Sequence, residues 1–155
     1  MLVTGKGKKY VDGEVLPYIE GYRGVFEEIN FIASESGILD GVEVGDVINF
    51  SLNSTGRINY ATKITVNNSI TDYHNNVNNF LRGEIVGIDP EQKMFRMTHG
   101  NNTGTFRLNP TKTVRFYNSQ TNTCVTKTAA SLTAGDEVLV RMNRGIVDEM
   151  ICFEK

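Results

Sequence analysis

The side chains that most often carry out chemistry in proteins are few in this 155-residue chain, and they are widely spaced. It has two histidines, His74 and His99, and two cysteines, Cys124 and Cys152. A structural zinc site usually takes four such ligands at short spacings, and the sequence holds no C-x-x-C pair. We therefore expect no metal site and no cofactor.

Two aspartates recur at matching places, each after a glycine and before a predicted strand. Asp46 follows Gly45, and Asp136 follows Gly135. A carboxylate in this place is typical of a turn, because it accepts hydrogen bonds from nearby backbone N–H groups. His99 lies in a loop rich in glycine and asparagine, with no nucleophile pattern near it. We therefore expect no catalytic residues and a protein that is not an enzyme.

The two cysteines allow either one disulfide or two free thiols. Cys152 falls on the last predicted strand, and Cys124 lies in a loop rich in threonine and asparagine. Two free thiols are the favoured interpretation. A metal site built on two cysteines without a neighbouring histidine is not expected.

Four arginines on predicted strands of the second half could bind a polyanion, because a guanidinium matches phosphate and carboxylate groups. The strand periodicity places all four on the face opposite the predicted core, and a tyrosine shares that face. An ordinary solvated sheet surface, on which arginine stems cover apolar area, accounts for the same pattern. The candidate binding residues are Arg96, Arg107, Arg115, Tyr117 and Arg141.

Charge is distributed unevenly along the chain, whose formal net charge is −2. Residues 1–81 hold six Lys or Arg and ten Asp or Glu, whereas residues 82–155 hold ten and eight. The acidic first half argues against a nucleic-acid-binding protein. The opposite signs of the halves permit head-to-tail contact between copies. No stretch approaches the ~20 apolar residues of a membrane helix, so we expect no membrane insertion.

Short strands are the elements that would position these side chains. The chain has 16 Asn, 15 Thr and 15 Gly, a composition that favours strands joined by tight turns. Alternating apolar residues in the second half predict strands at 83–89, 93–98, 105–108, 113–117, 137–142 and 146–153. The predicted core residues are Phe95, Met97, Phe106, Leu108, Val114, Phe116, Val138, Val140 and Met142.

The first half resembles a partial copy of the second. Residues 24–30 parallel residues 83–89, and the Gly-Asp pair at 45–46 parallels the pair at 135–136. An Asn-rich stretch, residues 67–79, lies between the copies. It is either a flexible linker or a connection packed onto a neighbouring sheet.

Four segments resemble β-rich regions of large clostridial cell-surface proteins, which often carry S-layer homology modules. The segments are residues 18–24, 45–58, 83–89 and 132–138. What they share with those proteins are turn and strand patterns, and the sequence contains no S-layer homology module itself. The resemblance implies an extracellular structural or spacer module of a Gram-positive bacterium and supplies no catalytic residues. We therefore expect this chain to be part of a longer, secreted cell-surface protein.

These patterns predict an all-β protein of two tandem small β-barrels, OB-like or rolled-sheet, at residues 1–80 and 81–155. One continuous β-sandwich is the alternative fold. The predicted function is a non-enzymatic structural, spacer or binding module, whose partner is an anionic cell-wall polymer or other copies of the chain. The alternatives are a subunit of a virion or other assembly, and an OB-like nucleic-acid-binding module.

Overall fold

The chain is all-β, as predicted, in a computed structural model that describes residues 1–24, 27–66 and 77–154. A single 3₁₀ turn, Ala129–Ser131, interrupts the strands of the described residues. The strands are β1 (Leu2–Val11), β2 (Glu14–Arg23), β3 (Glu27–Ile32), β4 (Ile48–Leu52), β5 (Ile58–Lys63), β6 (Val77–Asp89), β7 (Met94–His99), β8 (Asn102–Arg107), β9 (Thr113–Asn118), β10 (Thr123–Thr128), β11 (Glu137–Asn143) and β12 (Ile146–Glu154).

Backbone contacts divide the chain into two units, Met1–Ile64 (unit 1) and Thr65–Lys155 (unit 2). The sequence patterns place the division later, near residue 80. Strand β6 already begins at Val77, and its first residues pair with the end of β11 at Asn143. The Asn-rich composition hides this part of β6 from sequence analysis, because the strand is held there by backbone pairing with β11 and shows no apolar alternation. Residues 67–76, which carry most of the predicted connection, lie outside the described residues.

Unit 1 contains an antiparallel sheet in the order β1-β2-β3 and a hairpin of β4 and β5. Two isolated bridges join these pieces: Leu2 pairs antiparallel with Val47, and Ala33 pairs parallel with Ile58. The first bridge therefore places β1 beside the start of β4, and the second places the end of β3 beside β5. The buried core of this unit consists of Val3, Ile19, Ala33, Leu39, Val42, Ile48 and Ile58.

Unit 2 contains one seven-stranded sheet in the order β10-β9-β12-β11-β6-β7-β8. The sheet curls, because β12 also pairs in parallel with β8 at Ile146 and Arg107. One inner face of the sheet forms the core, and alternate residues of each strand point into it. All nine core residues predicted from the second half are buried in this cluster, so that prediction is confirmed.

The two Gly-Asp pairs form turns with matching hydrogen bonds, which confirms the turn interpretation of the aspartates. A carboxylate oxygen of Asp46 accepts from the N–H of Glu43 at 2.7 Å, and one of Asp136 accepts from the N–H of Thr133 at 2.7 Å. The preceding glycines have φ angles of 94° and 95°, which only glycine adopts without steric cost. Each turn leads into a strand that faces a core.

Two other expectations from the sequence are wrong. Residues 83–89 lie in β6, the first strand of unit 2, whereas residues 27–30 lie in β3, the third strand of unit 1. These segments are therefore not equivalent. Cys124 lies in strand β10 rather than in a loop. Strand β10 is an edge strand whose six residues are all partly or fully exposed, so it lacks the apolar alternation by which a strand is recognised.

Candidate functional site

Arg96 and Arg107 lie side by side on the outer face of β7 and β8. Arg96 is opposite Thr105, and Arg107 is opposite Met94, so the two arginines occupy diagonal positions on adjacent strands. Side chains at such positions are close enough to contact the same ligand. Both arginines are exposed. The prediction that they point away from the core is confirmed.

The core beneath these strands fixes the direction of both arginines. Phe95 and Phe106 are directly opposite each other on the inner face, and their ring centroids are 5.4 Å apart. Because successive side chains of a strand point to opposite faces, the neighbours Arg96 and Arg107 must point outward. The burial of two aromatic rings therefore positions the two guanidinium groups.

Neither arginine forms an ion pair in the part of the chain that the structure describes. The contrast with other cations of unit 2 is clear. Arg82 pairs with Glu137 at 2.7 Å, and Lys127 pairs with Glu154 at 2.8 Å. Guanidinium groups without a carboxylate partner are available to phosphate or carboxylate groups of a ligand.

Two turns add further cations at the same end of unit 2. Arg144 lies in the turn between β11 and β12, and the N–H of Arg107 donates to the carbonyl of the adjacent Gly145 at 3.4 Å. Lys93 ends the turn between β6 and β7, and its carbonyl accepts from the N–H of Leu108 at 2.8 Å. Both cations are exposed, and among the described residues neither has an ion-pair partner. We call Lys93, Arg96, Arg107 and Arg144 the basic patch.

Sequence reasoning missed Arg144 because it searched strand positions only, and it missed Lys93 because it placed this residue in the strand predicted at 93–98, which begins at Met94 in the structure. Both residues have positive φ angles, 55° and 49°, which is unusual for residues other than glycine. The turn that contains Arg144 is readable from the sequence, whereas the turn position of Lys93 is not. What the sequence does not reveal is that these two turns lie at the same end of the sheet, since that depends on the parallel pairing of β12 with β8.

The prediction that Arg115 and Tyr117 are exposed is wrong. Arg115 is 4% exposed and Tyr117 is 2% exposed. A guanidinium nitrogen of Arg115 lies 3.7 Å from the Sγ of Cys124, and the Tyr117 hydroxyl donates to Oδ1 of Asn122 at 3.0 Å. Burial raises the pKa of Tyr117, and the nearby Cys124 raises it further. Strand periodicity places both side chains opposite the core, but Leu139 on the same face is also buried, so this part of the outer face is covered.

Arg141 lies on the outer face, as predicted, but its charge is already neutralised. Its guanidinium is 2.5 Å from a carboxylate oxygen of Asp148 and 2.9 Å from one of Glu149. The Nε atom is buried and has no hydrogen-bond partner among the described residues. The five predicted binding residues therefore do not form one surface, and only Arg96 and Arg107 of the five are exposed and without an ion pair among the described residues.

A depression of about 350 Å³ lies beside Arg96, at one side of the basic patch. Gly87 faces Arg96 across the strand pair, and a Cβ atom built on Gly87 would meet no atom within 4 Å. The missing side chain thus leaves open space beside the guanidinium of Arg96. Asp89 lines the same depression, and its carboxylate accepts from the N–H of Gln92 at 2.9 Å. The remaining lining residues that face outward are Met94 and Thr105.

The position of unit 1 that corresponds to Arg96 carries the opposite charge. There Glu20 lies opposite Gly5 on one side and Asn30 on the other, and it accepts from the Asn30 amide at 3.2 Å. The turns at the end of this face are joined, because Arg57 forms an ion pair with Asp12 at 2.5 Å. In unit 1 a carboxylate therefore stands where unit 2 has Arg96, and an ion pair joins the two turns.

The two thiols are free, and the sheet prevents them from pairing. Strand β9 lies between β10 and β12, with Cys124 opposite Tyr117 and Cys152 opposite Phe116. Since Phe116 and Tyr117 are consecutive, the thiols lie on opposite faces of the sheet. Burial, with the charges of nearby carboxylates, raises the pKa of Cys152 to about 12. Burial also raises the pKa of Cys124, against the opposing effect of Arg115.

His99 is the last residue of β7, and its ring makes a structural contact. Its Nδ1 lies 2.7 Å from the carbonyl oxygen of Arg82, and because a carbonyl only accepts, this nitrogen is the donor. Within residues 1–24, 27–66 and 77–154, no three His, Cys, Asp or Glu side chains are grouped as metal ligands. The same described ranges contain no helix with the length and hydropathy needed to cross a membrane.

Comparisons with known proteins give no identity for this chain: no family model, curated protein or solved structure matches it. The function proposed below is therefore based on the basic patch of unit 2.

Proposed function

We propose that this chain is a non-enzymatic module of a bacterial cell-surface protein that contacts an anionic wall polymer through the basic patch. The observation that carries this proposal is the pair Arg96 and Arg107, exposed on one face and without carboxylate partners among the described residues. The surface location rests on the resemblance to clostridial surface proteins. Secretion and anchoring by other parts of a longer protein follow from the same resemblance.

The strand pairings support the proposal that each unit is a small OB-like barrel. In unit 2 the order β6-β7-β8-β12-β11-β6 returns to its start, with β8 and β12 parallel. In unit 1 the order β1-β2-β3-β5-β4-β1 follows from the bridges Ala33 to Ile58, which is parallel, and Leu2 to Val47. A five-stranded Greek-key barrel has strands in such a closed order. The matching Gly-Asp turns before β4 and β11 support a tandem repeat.

The basic patch lies where OB-like barrels bind extended ligands. In that fold oligonucleotides and oligosaccharides contact the face of strands 2 and 3 and the loops 1-2 and 4-5. Strands β7 and β8 are strands 2 and 3 of unit 2, and they carry Arg96 and Arg107. The turn with Lys93 is the 1-2 loop, and the turn with Arg144 is the 4-5 loop. All four cations of the patch thus occupy the ligand-binding positions of such a barrel.

A wall polymer fits this patch better than a single-stranded nucleic acid. Proteins that bind single strands stack bases on aromatic side chains beside the cations. The described side chains on the outer face of β7 and β8 include no aromatic ring, since Phe95 and Phe106 point into the core. Unit 1, with Glu20 on the equivalent strand and its turns joined by Arg57 and Asp12, is proposed to serve as a spacer.

Co-sedimentation with purified Gram-positive cell walls tests this function. We expect the chain to pellet with walls at low salt and to remain in the supernatant at high salt, because salt screens contacts between exposed charges. Walls stripped of their anionic polymers should not pellet it. A chain that stays in the supernatant with intact walls at every salt concentration would contradict the proposal, as would preferential binding to single-stranded DNA. Concentration-dependent self-association without wall binding would favour an assembly protein instead.

A further inference from the structure

We infer that the depression beside Arg96 binds one neutral, hydroxyl-bearing unit of a phosphate-linked polymer, such as a polyol or sugar phosphate. This inference rests on the proposed function of the basic patch and names the chemistry of its ligand. A purely electrostatic site would consist of cations alone. The depression instead combines Arg96 with the carboxylate of Asp89, the amide of Gln92 and the hydroxyl of Thr105.

The charges that flank the depression are opposite but do not pair with each other. Asp89 lies opposite Met94, and Arg96 is two residues farther along β7, on the same outer face. No ion pair between Asp89 and Arg96 occurs among the described contacts. One carboxylate oxygen of Asp89 accepts from the N–H of Gln92. Its other oxygen accepts no hydrogen bond from the described residues, so it can accept from a ligand hydroxyl.

The volume and the charges of the depression favour a polyol or sugar unit over a bare chain of phosphates. Its volume of about 350 Å³ is near the lower limit of ligand pockets, which suits one small unit rather than a large ring system. A phosphate group would be attracted by Arg96 and Arg107 but repelled by Asp89. A hydroxylated unit placed between two phosphates satisfies both, because its hydroxyls donate to Asp89 while its phosphates contact the arginines.

Three variants of the full chain distinguish binding at this subsite from non-specific electrostatic attraction to the polymer. Asp89→Asn removes the carboxylate charge but keeps an oxygen that can accept from the N–H of Gln92. Glu91→Gln removes one negative charge from the same turn, outside the depression, and is the matched control. Gly87→Val fills the depression, where a new Cβ would meet nothing within 4 Å, so the fold should be unaffected.

The measurement is the affinity for two probes with equal numbers of phosphates, a glycerol-phosphate oligomer and inorganic polyphosphate. We expect the unaltered chain to bind the glycerol-phosphate oligomer about tenfold more tightly, as a hydrogen bond to a charged group implies. Asp89→Asn and Gly87→Val should abolish this preference, and Glu91→Gln should preserve it. An unchanged melting temperature shows that each variant is folded.

Equal affinity of the unaltered chain for both probes would overturn the inference. It would also be overturned if Asp89→Asn and Glu91→Gln strengthened binding of both probes equally, since the carboxylate would then act only through its charge. If in either case Arg96→Ala with Arg107→Ala still weakened binding of both probes, the proposed function would stand without the subsite. If neither probe bound the unaltered chain, both proposals would fail.

Discussion

Glu20 of unit 1 and Arg96 of unit 2 occupy equivalent positions in their sheets. Each lies on the second strand of its unit, opposite the glycine that follows a β-bulge in the first strand, Gly5 or Gly87. The same backbone arrangement thus presents a carboxylate in one unit and a guanidinium in the other. In the proposed account, this difference makes unit 2 the binding unit.

Exchanging the charge at this position should therefore convert unit 2 toward the character of unit 1. We expect Arg96→Glu to weaken wall binding more than Arg96→Ala does, because it adds repulsion to the loss of one contact. The fraction of protein that pellets with walls at low salt measures this order. Equal effects of the two variants would show that the charge of residue 96 does not act on the polymer.

The core of unit 2 makes a direct prediction about stability. Val140 is fully buried in this core, so Val140→Asp places an unpaired carboxylate among apolar side chains. We expect a loss of about 3–5 kcal/mol in the free energy of unfolding, measured by urea denaturation. Val125→Asp is the control, because Val125 is 48% exposed, and it should change stability little. A Val140→Asp variant as stable as the parent would contradict the assignment of the inner face.

Gly83 should not tolerate even a methyl group. A Cβ atom built there would lie 1.9 Å from the carbonyl oxygen of Thr98, which belongs to the backbone of the neighbouring strand. We expect Gly83→Ala to destabilise the protein by about 1–3 kcal/mol or more, because the strands must separate. Gly87→Ala, four residues along the same strand, enters open space and should leave the melting temperature nearly unchanged. Equal melting temperatures of the two variants would contradict the close approach at Gly83.

The buried thiol of Cys152 predicts how stability changes at alkaline pH. Its pKa is about 12 in the folded chain, above the ordinary value of 9.0, so the unfolded chain loses the proton first. The contribution of this thiol to the free energy of unfolding is complete below pH 9. It decreases as the pH rises from about 9 to 12, by up to about 1.4 kcal/mol per pH unit. Cys152→Ala should remove this part of the slope, as measured by urea denaturation at several pH values. If the free energy of unfolding changed with pH identically in the parent and in Cys152→Ala, the raised pKa of Cys152 would be contradicted.

Much of unit 2 could be predicted from the sequence, because its strands have one apolar and one polar face. Phe95 and Phe106 alternate with Arg96 and Arg107, and periodicity alone places the first pair inside and the second outside. The same rule places Arg115 outside, yet its side chain is buried. Periodicity distinguishes two faces of a strand, but it does not reveal which part of the outer face is covered.

The pairing of distant strands also could not be read from the sequence. The basic patch depends on the turn with Arg144 lying beside Arg107, and these residues are far apart along the chain. Their proximity follows from the parallel pairing of β12 with β8. Salt bridges are equally hidden in the sequence. The strand pattern gives Arg141 the same outward position as Arg96, and only the structure shows that Asp148 and Glu149 pair with it.

The most direct test of the account compares two double variants that remove the same charge. Arg96→Ala with Arg107→Ala removes the two guanidinium groups that the patch has on strands, which form no ion pair among the described residues. Arg82→Ala with Arg141→Ala removes two guanidinium groups that are already paired with carboxylates. Wall binding at low salt should weaken about tenfold or more in the first and less than about twofold in the second. Equal weakening in both variants, or full binding by the first, would contradict the basic patch as the binding site.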